Sequence, residues 1–592
     1  MHTFRVWAPT ARSMEVELED GQRVPMAPEP PPAGSGGGWW SAPVERAGPG
    51  MAYRFAPDGG VALPDPRSAW QPLGIYGPSV VVDHDSFPWT DRGWRGIHLP
   101  AAVLYEVHVG TFSDAGTFAG VATHLDHLVD LGIDALELMP VVEFSGERGW
   151  GYDGVDLYAP HHAYGGPDGL KALVDACHAR GLGVVLDVVY NHLGPVGNYL
   201  DRFGPYFTDR YRTPWGPAVN LDGPGSDEVR AFVVDNACMW LRDYHCDGLR
   251  LDAVHAIVDT SATHLCEELT TRVEELGNAL GRRLFVIGES DRNDPRLVRS
   301  RQAGGYGLDA QWSDDFHHAL HAVLTGEQRG YYADFGRLGD VARALRHAYV
   351  YDGRYSPYRG RTHGRPASGL AGTAFLGYLQ NHDQVGNRAG GERASALMSR
   401  GRLAVGIGLV LTSPFIPLVF QGEEWGAATP FPYFTAHEDP DLGRAVAEGR
   451  RREFAAFGWD PEAVPDPQAA STFEAARLDW RELEAPEATW LLGWTRELLC
   501  LRRGWPELAD GALARVAVAV DEAAGWLRMA RGRVVVVANV GAAPVTVPVA
   551  GATGSSALAR SSGEINLGDG EAHLPPDSLV VLAVAGGGSP GA

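Results

Sequence analysis

The sequence predicts an α/β fold in which a (β/α)8 TIM barrel lies between an N-terminal and a C-terminal β-sandwich domain. Strand-like alternation at both ends of the chain predicts the two sandwiches. Between them, short apolar strands alternate with amphipathic helices, and several strands end in polar residues, which together predict the barrel. The chain has 592 residues, more than one hydrophobic core supports, so several domains are expected.

Residues 1–95 are predicted to form the N-terminal β-sandwich, of immunoglobulin-like type. Apolar and polar residues alternate at 4–7, 14–19 and 51–55, and the segment 25–38 is rich in Pro and Gly. A period of two places one face of each strand in a core, and the turn-rich segments predict antiparallel neighbours.

Residues 96–505 are predicted to form the barrel. The apolar segment 103–109 is the first strand, and a helix that ends at Gly132 should follow it. This helix has apolar positions at Phe118, Val121, Ala122, Leu125, Leu128 and Val129. Seven more strands are predicted at 133–139, 184–189, 248–252, 284–289, 308–312, 375–380 and 418–421. Eight strands with helical connections predict a closed parallel barrel.

Two further segments complete the predicted organisation. The connection at 192–227 is longer than an ordinary loop and rich in Gly, Pro and aromatic residues, so we expect a short inserted lid region over the barrel mouth. Strand patterns return after 505, and residues 506–592 are predicted to be the C-terminal β-domain.

Composition narrows the possible functions. The net charge of -24 opposes binding to nucleic acid and does not attract anionic ligands, so a neutral substrate is favoured. Five widely spaced cysteines predict reduced thiols, and no secretory signal or membrane-spanning run is visible, so a cytoplasmic protein without membrane contact is expected. Asp153, Asp156 and Asn191 suggest calcium ligands, but no EF-hand-like loop is present, and neither a metal nor a cofactor is predicted.

Charged side chains at the strand ends should meet at one mouth of the barrel. The residues concerned are Asp187, His192, Arg250, Asp252, Glu289, His382 and Asp383. Period-two alternation places Arg250 and Asp252 on the same face of their strand. Each residue alone has a structural explanation, such as an ion pair between Asp187 and Arg250. Their joint placement at different strand ends favours an active site.

Four segments carrying these residues resemble, in order, the sequence motifs of the α-amylase family of glycoside hydrolases and transglycosylases. The segments are 187–192 (DVVYNH), 248–252 (GLRLD), 288–289 (GE) and 381–383 (NHD). The resemblance spans roughly residues 100 to 500. It implies that Asp252 is the nucleophile, Glu289 the general acid/base and Asp383 the carboxylate that orients substrate hydroxyls.

The chemistry implied by this resemblance explains the residue types. Cleavage of an α-glycosidic bond with retention needs an ionised carboxylate and a protonated one about 5 Å apart. Arg250 should keep Asp252 ionised, while burial and like charge should raise the proton affinity of Glu289. The resemblance also implies that His192, Asn381 and His382 bind sugar hydroxyls and that Tyr152 stacks on a sugar ring.

Three further stretches resemble the members of this family that hydrolyse maltooligosyltrehalose: 252–257, 379–388 and 420–435. The resemblance implies maltooligosyltrehalose and related α-glucans as binding partners, with release of trehalose. The part of the site that binds the leaving group would then be lined by Trp215, Glu423, Glu424 and Trp425. A 1,4-α-glucan branching enzyme remains the main alternative, and a non-catalytic glucan-binding protein is the second. The oligomeric state is left open.

Overall fold

The computed structural model describes residues 1–31, 36–213, 216–456, 464–552 and 556–584. Its N-terminal strands are β1 (His2–Trp7), β2 (Met14–Leu18), β3 (Arg23–Pro25), β4 (Ala27–Pro28), β5 (Trp39–Val44), β6 (Ala52–Pro57) and β7 (Ser79–Val80). They form two antiparallel sheets with the orders β1-β5-β4 and β3-β2-β6-β7. Phe4 of one sheet lies 4.7 Å, between ring centroids, from Tyr53 of the other, so the sheets pack face to face.

The central part contains the strands β8 (Leu104–Val107), β9 (Ala135–Leu138), β10 (Val142–Glu143), β11 (Asp156–Pro160), β12 (Gly183–Val188), β13 (Phe207–Thr213), β14 (Gly216–Val219), β15 (Gly248–Leu251), β16 (Phe285–Gly288), β17 (Ala310–Trp312), β18 (Asp352–Ser356), β19 (Arg361–Gly364), β20 (Phe375–Gly377) and β21 (Ile416–Phe420). Eight of them close into a barrel in the order β12-β15-β16-β17-β20-β21-β8-β9. All neighbours in the barrel are parallel. The predicted (β/α)8 barrel is confirmed.

Most of the helices lie between barrel strands in the chain. The described helices are α1 (Val109–Phe112), α2 (Phe118–Ala122), α3 (Leu125–Leu131), α4 (Gly166–Ala179), α5 (Ser226–Arg242), α6 (Leu265–Leu280), α7 (Asp314–Thr325), α8 (Leu338–His347), α9 (His382–Gly386), α10 (Ala394–Leu397), α11 (Arg400–Thr412), α12 (Pro440–Ala456), α13 (Ala470–Ala475), α14 (Pro486–Gly504) and α15 (Pro506–Ala509). No helix among the described residues is long and apolar enough to span a membrane.

The first predicted helix differs from the observed one. It ends before Gly132, as expected, because that residue has a positive φ of 101°. However, it is divided into α2 and α3. Thr123 Oγ1 donates a hydrogen bond to Gly120 O over 2.7 Å, and this side-chain bond competes with continued helical hydrogen bonding.

The segment predicted as a lid contains an antiparallel hairpin of β13 and β14. A second hairpin, β10–β11, follows barrel strand β9, and its connecting residues carry Trp150 and Tyr152. Both hairpins belong to connections that leave the C-terminal ends of barrel strands, where the functional side chains of such barrels lie.

The C-terminal strands are β22 (Val516–Asp521), β23 (Trp526–Arg531), β24 (Val534–Asn539), β25 (Val545–Pro548), β26 (Ala557–Arg560), β27 (Asn566–Gly568), β28 (Glu571–Leu574) and β29 (Ser578–Ala583). They form two antiparallel sheets with the orders β22-β23-β24-β29-β26 and β25-β28-β27. Val537 and Val580 of the larger sheet share a core with Val547 and Leu574 of the smaller one. The predicted domain boundaries near residues 95 and 505 stay predictions.

Two buried arginines connect the C-terminal sheet and α14 to the barrel. Arg531 Nη1 donates to Thr412 O, Ser413 O and Leu508 O at 2.7, 2.8 and 3.0 Å. Arg502, on α14, donates to Leu411 O, Ser413 O and Phe415 O. Carbonyl groups in the last turn of α11 and just after it therefore accept hydrogen bonds from guanidinium groups.

We expect Arg531→Met to lower the free energy of unfolding by about 2–4 kcal/mol, because it leaves several buried carbonyl oxygens without donors. Urea denaturation followed by circular dichroism measures the change. Arg533→Met is the matched control, since Arg533 is 61% exposed and pairs with Glu507 at the surface. An equal, small effect of both substitutions would show that the buried hydrogen bonds contribute little.

Candidate active site

The ends of three consecutive barrel strands bring charged side chains together. Asp187 lies near the end of β12, Arg250 lies on β15, and Asp252 and Glu289 follow β15 and β16 directly. Asp187 and Arg250 are register partners in the parallel ladder. Because parallel strands end at the same side of a barrel, the four side chains share one mouth.

The Arg250 guanidinium contacts three carboxylates. Its Nη1 donates to Asp187 Oδ2 and to Asp252 Oδ1, each over 2.9 Å. Its Nη2 forms an ion pair of 3.1 Å with Glu289 Oε2. Its side chain is fully buried, and its central carbon lies 4.1 Å from the Trp312 ring centroid. Burial strengthens these charge interactions, and the aromatic face adds a further favourable contact.

Both oxygens of Asp252 accept a hydrogen bond. Oδ1 accepts from Arg250, and Oδ2 accepts from Asn191 Nδ2 over 2.7 Å. The expectation that Arg250 and Asp252 share a strand face agrees with their contact. Two donors to one carboxylate fix its orientation.

The contacts of the Glu289 carboxyl group described here are made by its Oε2 atom. The Ala253 N–H donates to this oxygen over 2.7 Å, and Ala253 has a positive φ of 39°, a conformation that non-glycine residues rarely adopt. Burial raises the pKa of Glu289 well above its usual range. Arg250 opposes this effect, while the negative charges of Asp252 and Asp383 raise the pKa further.

A second group of side chains surrounds His382 on the other side of the mouth. Its Nδ1 lies 2.5 Å from Glu106 Oε1, and its Nε2 lies 2.8 Å from the Tyr152 hydroxyl, which donates to Asp187 Oδ2 over 2.7 Å. Although burial lowers the pKa of His382, the charges of Asp383 and Glu106 raise it to about 9. Protonated His382 thus sits between two carboxylates.

Tyr152 and Asp383 both face accessible space. The Tyr152 ring is stacked on the His382 ring with centroids 5.2 Å apart, and it is only partly buried. The Asp383 side chain is 36% exposed, although its Oδ1 lies 3.5 Å from His382 Nε2. These two side chains can reach a ligand in the mouth.

Other predicted site residues have contacts within the protein. His192 is buried, with Nδ1 2.6 Å from Asn191 Oδ1 and Nε2 2.9 Å from Tyr152 O. Asn381 is fully buried, and its Oδ1 accepts from the Asp383 N–H over 2.9 Å as the N-cap of α9. The strand predicted to run to Gln380 ends at Gly377, and the cap of α9 follows it. The structure therefore buries Asn381 and places it in contact with the Asp383 backbone.

The residues predicted as leaving-group walls do not line the mouth. Glu423 and Trp425 are each 2% exposed, and Glu424 is fully buried. Trp425 Nε1 donates to Glu482 Oε2 over 3.2 Å, and Glu424 accepts from the Tyr105 hydroxyl over 3.0 Å. These side chains are buried because their 3-10 turn packs against α14, where Thr495 Oγ1 donates to Glu424 O over 3.1 Å. Trp215 lies outside the described residues.

Sequence reasoning missed the carboxylates inside the barrel. Glu106 on β8 and Glu137 on β9 are register partners, and each is 1% exposed. Asp314, at the start of α7, accepts from the Tyr378 hydroxyl over 2.6 Å, and burial raises its pKa to about 7. A glutamate within a continuous apolar strand was the available signal, since a buried carboxylate always needs an explanation.

A cavity of about 340 Å³ lies beside the C-terminal end of α9, the helix that carries Asp383. It is lined by Thr325, Gly326, Glu327, Gln328, Arg329, Tyr331, Tyr332, Asn387, Arg388 and Leu397. The Asn387 N–H donates to Asp383 O over 2.8 Å, which connects the cavity wall to α9. Arg388 and Glu327 form an ion pair of 2.8 Å across it. The lining offers both aromatic surface and hydrogen-bonding groups to a polar ligand.

Side chains that could bind a metal ion are grouped elsewhere. Within the described part of the chain, the side chains close enough to hold one ion are Glu143, His161 and His162. None of them contacts the Arg250 guanidinium or its carboxylates in the hydrogen bonds and ion pairs described above. The carboxylate group can carry out acid–base and nucleophilic chemistry with its own side chains.

Comparison with known families agrees with this geometry. The family model for the alpha amylase catalytic domain matches residues 85–213, and the model for a domain of unknown function matches residues 511–581. The chain is 49% identical to the malto-oligosyltrehalose trehalohydrolase of Arthrobacter ramosus, covering 98% of this chain and 99% of that protein. It is 47% identical to the malto-oligosyltrehalose trehalohydrolase of Rhizobium sp. (strain M-11), covering 98% and 97%.

A solved structure is similar over nearly the whole length. It is the crystal structure of a candidate alpha amylase from Salmonella typhimurium, with a TM-score of 0.89 and 38% sequence identity. The similarity covers 98% of this chain and 97% of that one.

We expect Glu137→Gln to stabilise the protein more as pH rises. Burial raises the pKa of Glu137 well above its usual range, and neither carboxyl oxygen has a hydrogen-bond partner among the described residues. The unfolded chain loses this proton above pH of about 4.3, while the folded chain keeps it, so the native glutamate costs stability with rising pH. Melting temperatures at pH 5 and pH 8 measure the difference. Glu275→Gln, at an exposed position, is the control.

If Glu137→Gln raised the melting temperature more at pH 5 than at pH 8, the raised pKa of Glu137 would be contradicted. A change in melting temperature that is the same at both pH values would contradict it too.

Proposed function

The chain belongs to the malto-oligosyltrehalose trehalohydrolases, which are α-amylase-family glycoside hydrolases, and we propose that it cleaves the α-1,4-glucosidic bond next to the terminal trehalose of maltooligosyltrehalose. The products are trehalose and a maltooligosaccharide. The observation that carries the proposed chemistry is that Asp252 and Glu289 contact adjacent nitrogens of one guanidinium. Two carboxyl groups side by side are the arrangement of retaining glycosidases.

In the proposed first step, Asp252 attacks the anomeric carbon. A bond forms between a carboxylate oxygen of Asp252 and the carbon, while the bond from that carbon to the leaving oxygen breaks. Arg250 and Asn191 hold Asp252 in one orientation, so little reorganisation is needed before attack. The product of this step is a covalent glycosyl-enzyme intermediate.

Glu289 supplies the proton that the leaving oxygen needs. Its raised pKa keeps it protonated near neutral pH. Because Oε2 accepts the Ala253 N–H and faces Arg250, we place the transferable proton on Oε1. In the second step, ionised Glu289 removes a proton from water, water oxygen attacks the anomeric carbon, and Asp252 is released.

We assign substrate positioning to Tyr152 and Asp383. The partly exposed Tyr152 ring offers an apolar face to a sugar ring, and the Tyr152 hydroxyl is fixed by Asp187 and His382. The exposed part of the Asp383 carboxylate can accept hydrogen bonds from two sugar hydroxyl groups. The roles of His192, Asn381 and His382 follow from their contacts: they orient Asn191, Asp383 and Tyr152.

We also propose that the protein acts in the cytoplasm. All five cysteines are free, and Cys177, Cys238, Cys246 and Cys266 are buried. Reduced thiols of this kind are typical of proteins in a reducing compartment.

The experiment that tests the function is an assay of products. Purified protein incubated with maltooligosyltrehalose should release free trehalose, and incubation with amylose should produce no new α-1,6 branches.

Asp252→Asn and Glu289→Gln should each lower the rate by several orders of magnitude while keeping the fold. Asp252→Asn removes the attacking charge, and Glu289→Gln removes the transferable proton. Asp126→Asn, at the exposed partner of Arg180, is the control for the Asp→Asn change.

Three outcomes would contradict the proposal. New branches without released trehalose would assign the chain to transglycosylation, as in a branching enzyme. Near-normal turnover by either carboxylate variant would remove the assigned roles, and no turnover of any α-glucan by the wild type would favour a binding protein.

The pH dependence of kcat/KM should show an alkaline limb from the loss of the Glu289 proton. We expect Asp383→Asn to move this limb of the residual activity to lower pH. The charge of Asp383 raises the pKa of Glu289, so its removal makes the glutamate easier to ionise. Asp130→Asn, an exposed position, should leave the limb in place. An alkaline limb that stays fixed or moves to higher pH in Asp383→Asn would refute the effect of the Asp383 charge on the pKa of Glu289.

A further inference from the structure

Glu143, His161 and His162 meet beside the β10–β11 hairpin. Glu143 is the last residue of β10, and the two histidines follow β11 directly. One ligand atom from each lies within 4.8 Å of the others. Glu143 Oε1 lies 2.7 Å from His162 Nδ1 and 3.3 Å from His161 Nδ1. The connection between the two strands carries Trp150 and Tyr152 toward the candidate active site.

His161 is fully buried without a hydrogen-bond partner on either ring nitrogen among the described residues. Its Nδ1 approaches Glu143 Oε1, but the contact lacks hydrogen-bond geometry. The ring is stacked on Phe144 with centroids 3.9 Å apart, which holds it in place. A buried polar group without a partner costs free energy, and an imidazole nitrogen in this situation is available as a metal ligand.

A second buried carboxyl group lies beside the site. Asp156 on β11 is the register partner of Glu143 on β10, so two carboxyl groups stand directly opposite each other on paired strands. Asp156 is 6% exposed, and its Oδ2 has no hydrogen-bond partner in the described part of the chain. A buried polar atom without a partner costs free energy.

We propose that Glu143, His161 and His162 bind a divalent transition-metal ion that stabilises the β10–β11 hairpin, with Zn²⁺ as the best-suited ion. Two imidazole nitrogens and one carboxylate oxygen are a donor set that Zn²⁺ accepts, with a fourth position open to water. Binding requires that His162 Nδ1 carries no proton, so the contact with Glu143 is exchanged for a bond to the ion.

This site was not predicted from the sequence because the histidines are adjacent in the chain and distant from Glu143, without the regular spacing of known zinc motifs. The hairpin pairing brings them together. The ion would link β10 to the turn after β11. We therefore expect it to make the connecting segment 144–155, which includes Tyr152, more ordered.

The test is a calorimetric titration of the full chain with Zn²⁺ after treatment with a chelator. We expect saturable binding of one equivalent. His162→Gln and Glu143→Gln should each weaken the affinity roughly tenfold or more. His347→Gln, an exposed histidine outside the site, should bind as the wild type does. Substitution of His162 should disturb the fold less than substitution of Glu143, because the His162 side chain is 24% exposed and the Glu143 side chain is fully buried.

Two independent readouts accompany the titration. Co²⁺ should give the visible absorption of a tetrahedral complex in the wild type and not in His162→Gln. Hydrogen exchange of residues 144–155 should slow on addition of Zn²⁺ to the wild type. Absence of saturable binding, or equal binding by wild type and His162→Gln, would overturn the proposal. Binding without slower exchange would leave a metal site but refute its effect on the hairpin.

Discussion

The buried guanidinium of Arg250 is the constraint on which the rest of the mouth depends. A single buried cation would cost several kcal/mol, and so would each ionised carboxylate beside it. Three carboxyl groups contact this one guanidinium, and the Trp312 ring covers it. The barrel must therefore close with β12, β15 and β16 in the observed register, because a shift of one residue would send Arg250 to the opposite face.

The electrostatic arrangement continues across the mouth. The Tyr152 hydroxyl contacts both the Asp187 carboxylate and His382. Asp187 in turn contacts Arg250, and His382 contacts Glu106. Positive and negative groups alternate along this path, so each buried charge has an opposite neighbour. Burial raises the pKa of Glu137 well above its usual range, which favours the neutral form of this carboxyl group. Different protonation states of neighbouring carboxyl groups thus follow from their partners, not from their residue type.

Much of the fold could be predicted from the sequence, since local patterns determine strands and helix ends. The eight barrel strands and the stop at Gly132 follow from apolar periodicity and from glycine. The division between α2 and α3 could not be predicted, because it depends on one hydroxyl bond of Thr123. The candidate site behaves likewise: alternation predicts that Arg250 and Asp252 share a face, but the burial of Glu423 and Trp425 depends on packing against distant segments.

The larger C-terminal sheet has two buried faces. Val536 and Val581 belong to the same core as Leu409 of α11, and Val537 and Val580 face the smaller sheet. A Cβ at Gly408 of α11 would lie 2.8 Å from a methyl carbon of Leu579, so the helix and β29 are in close contact there. Removing the last sheets would thus expose the apolar side of a barrel helix to water. For anyone shortening this chain, the C-terminal sheets belong to the same packed core as the barrel and are not a detachable accessory.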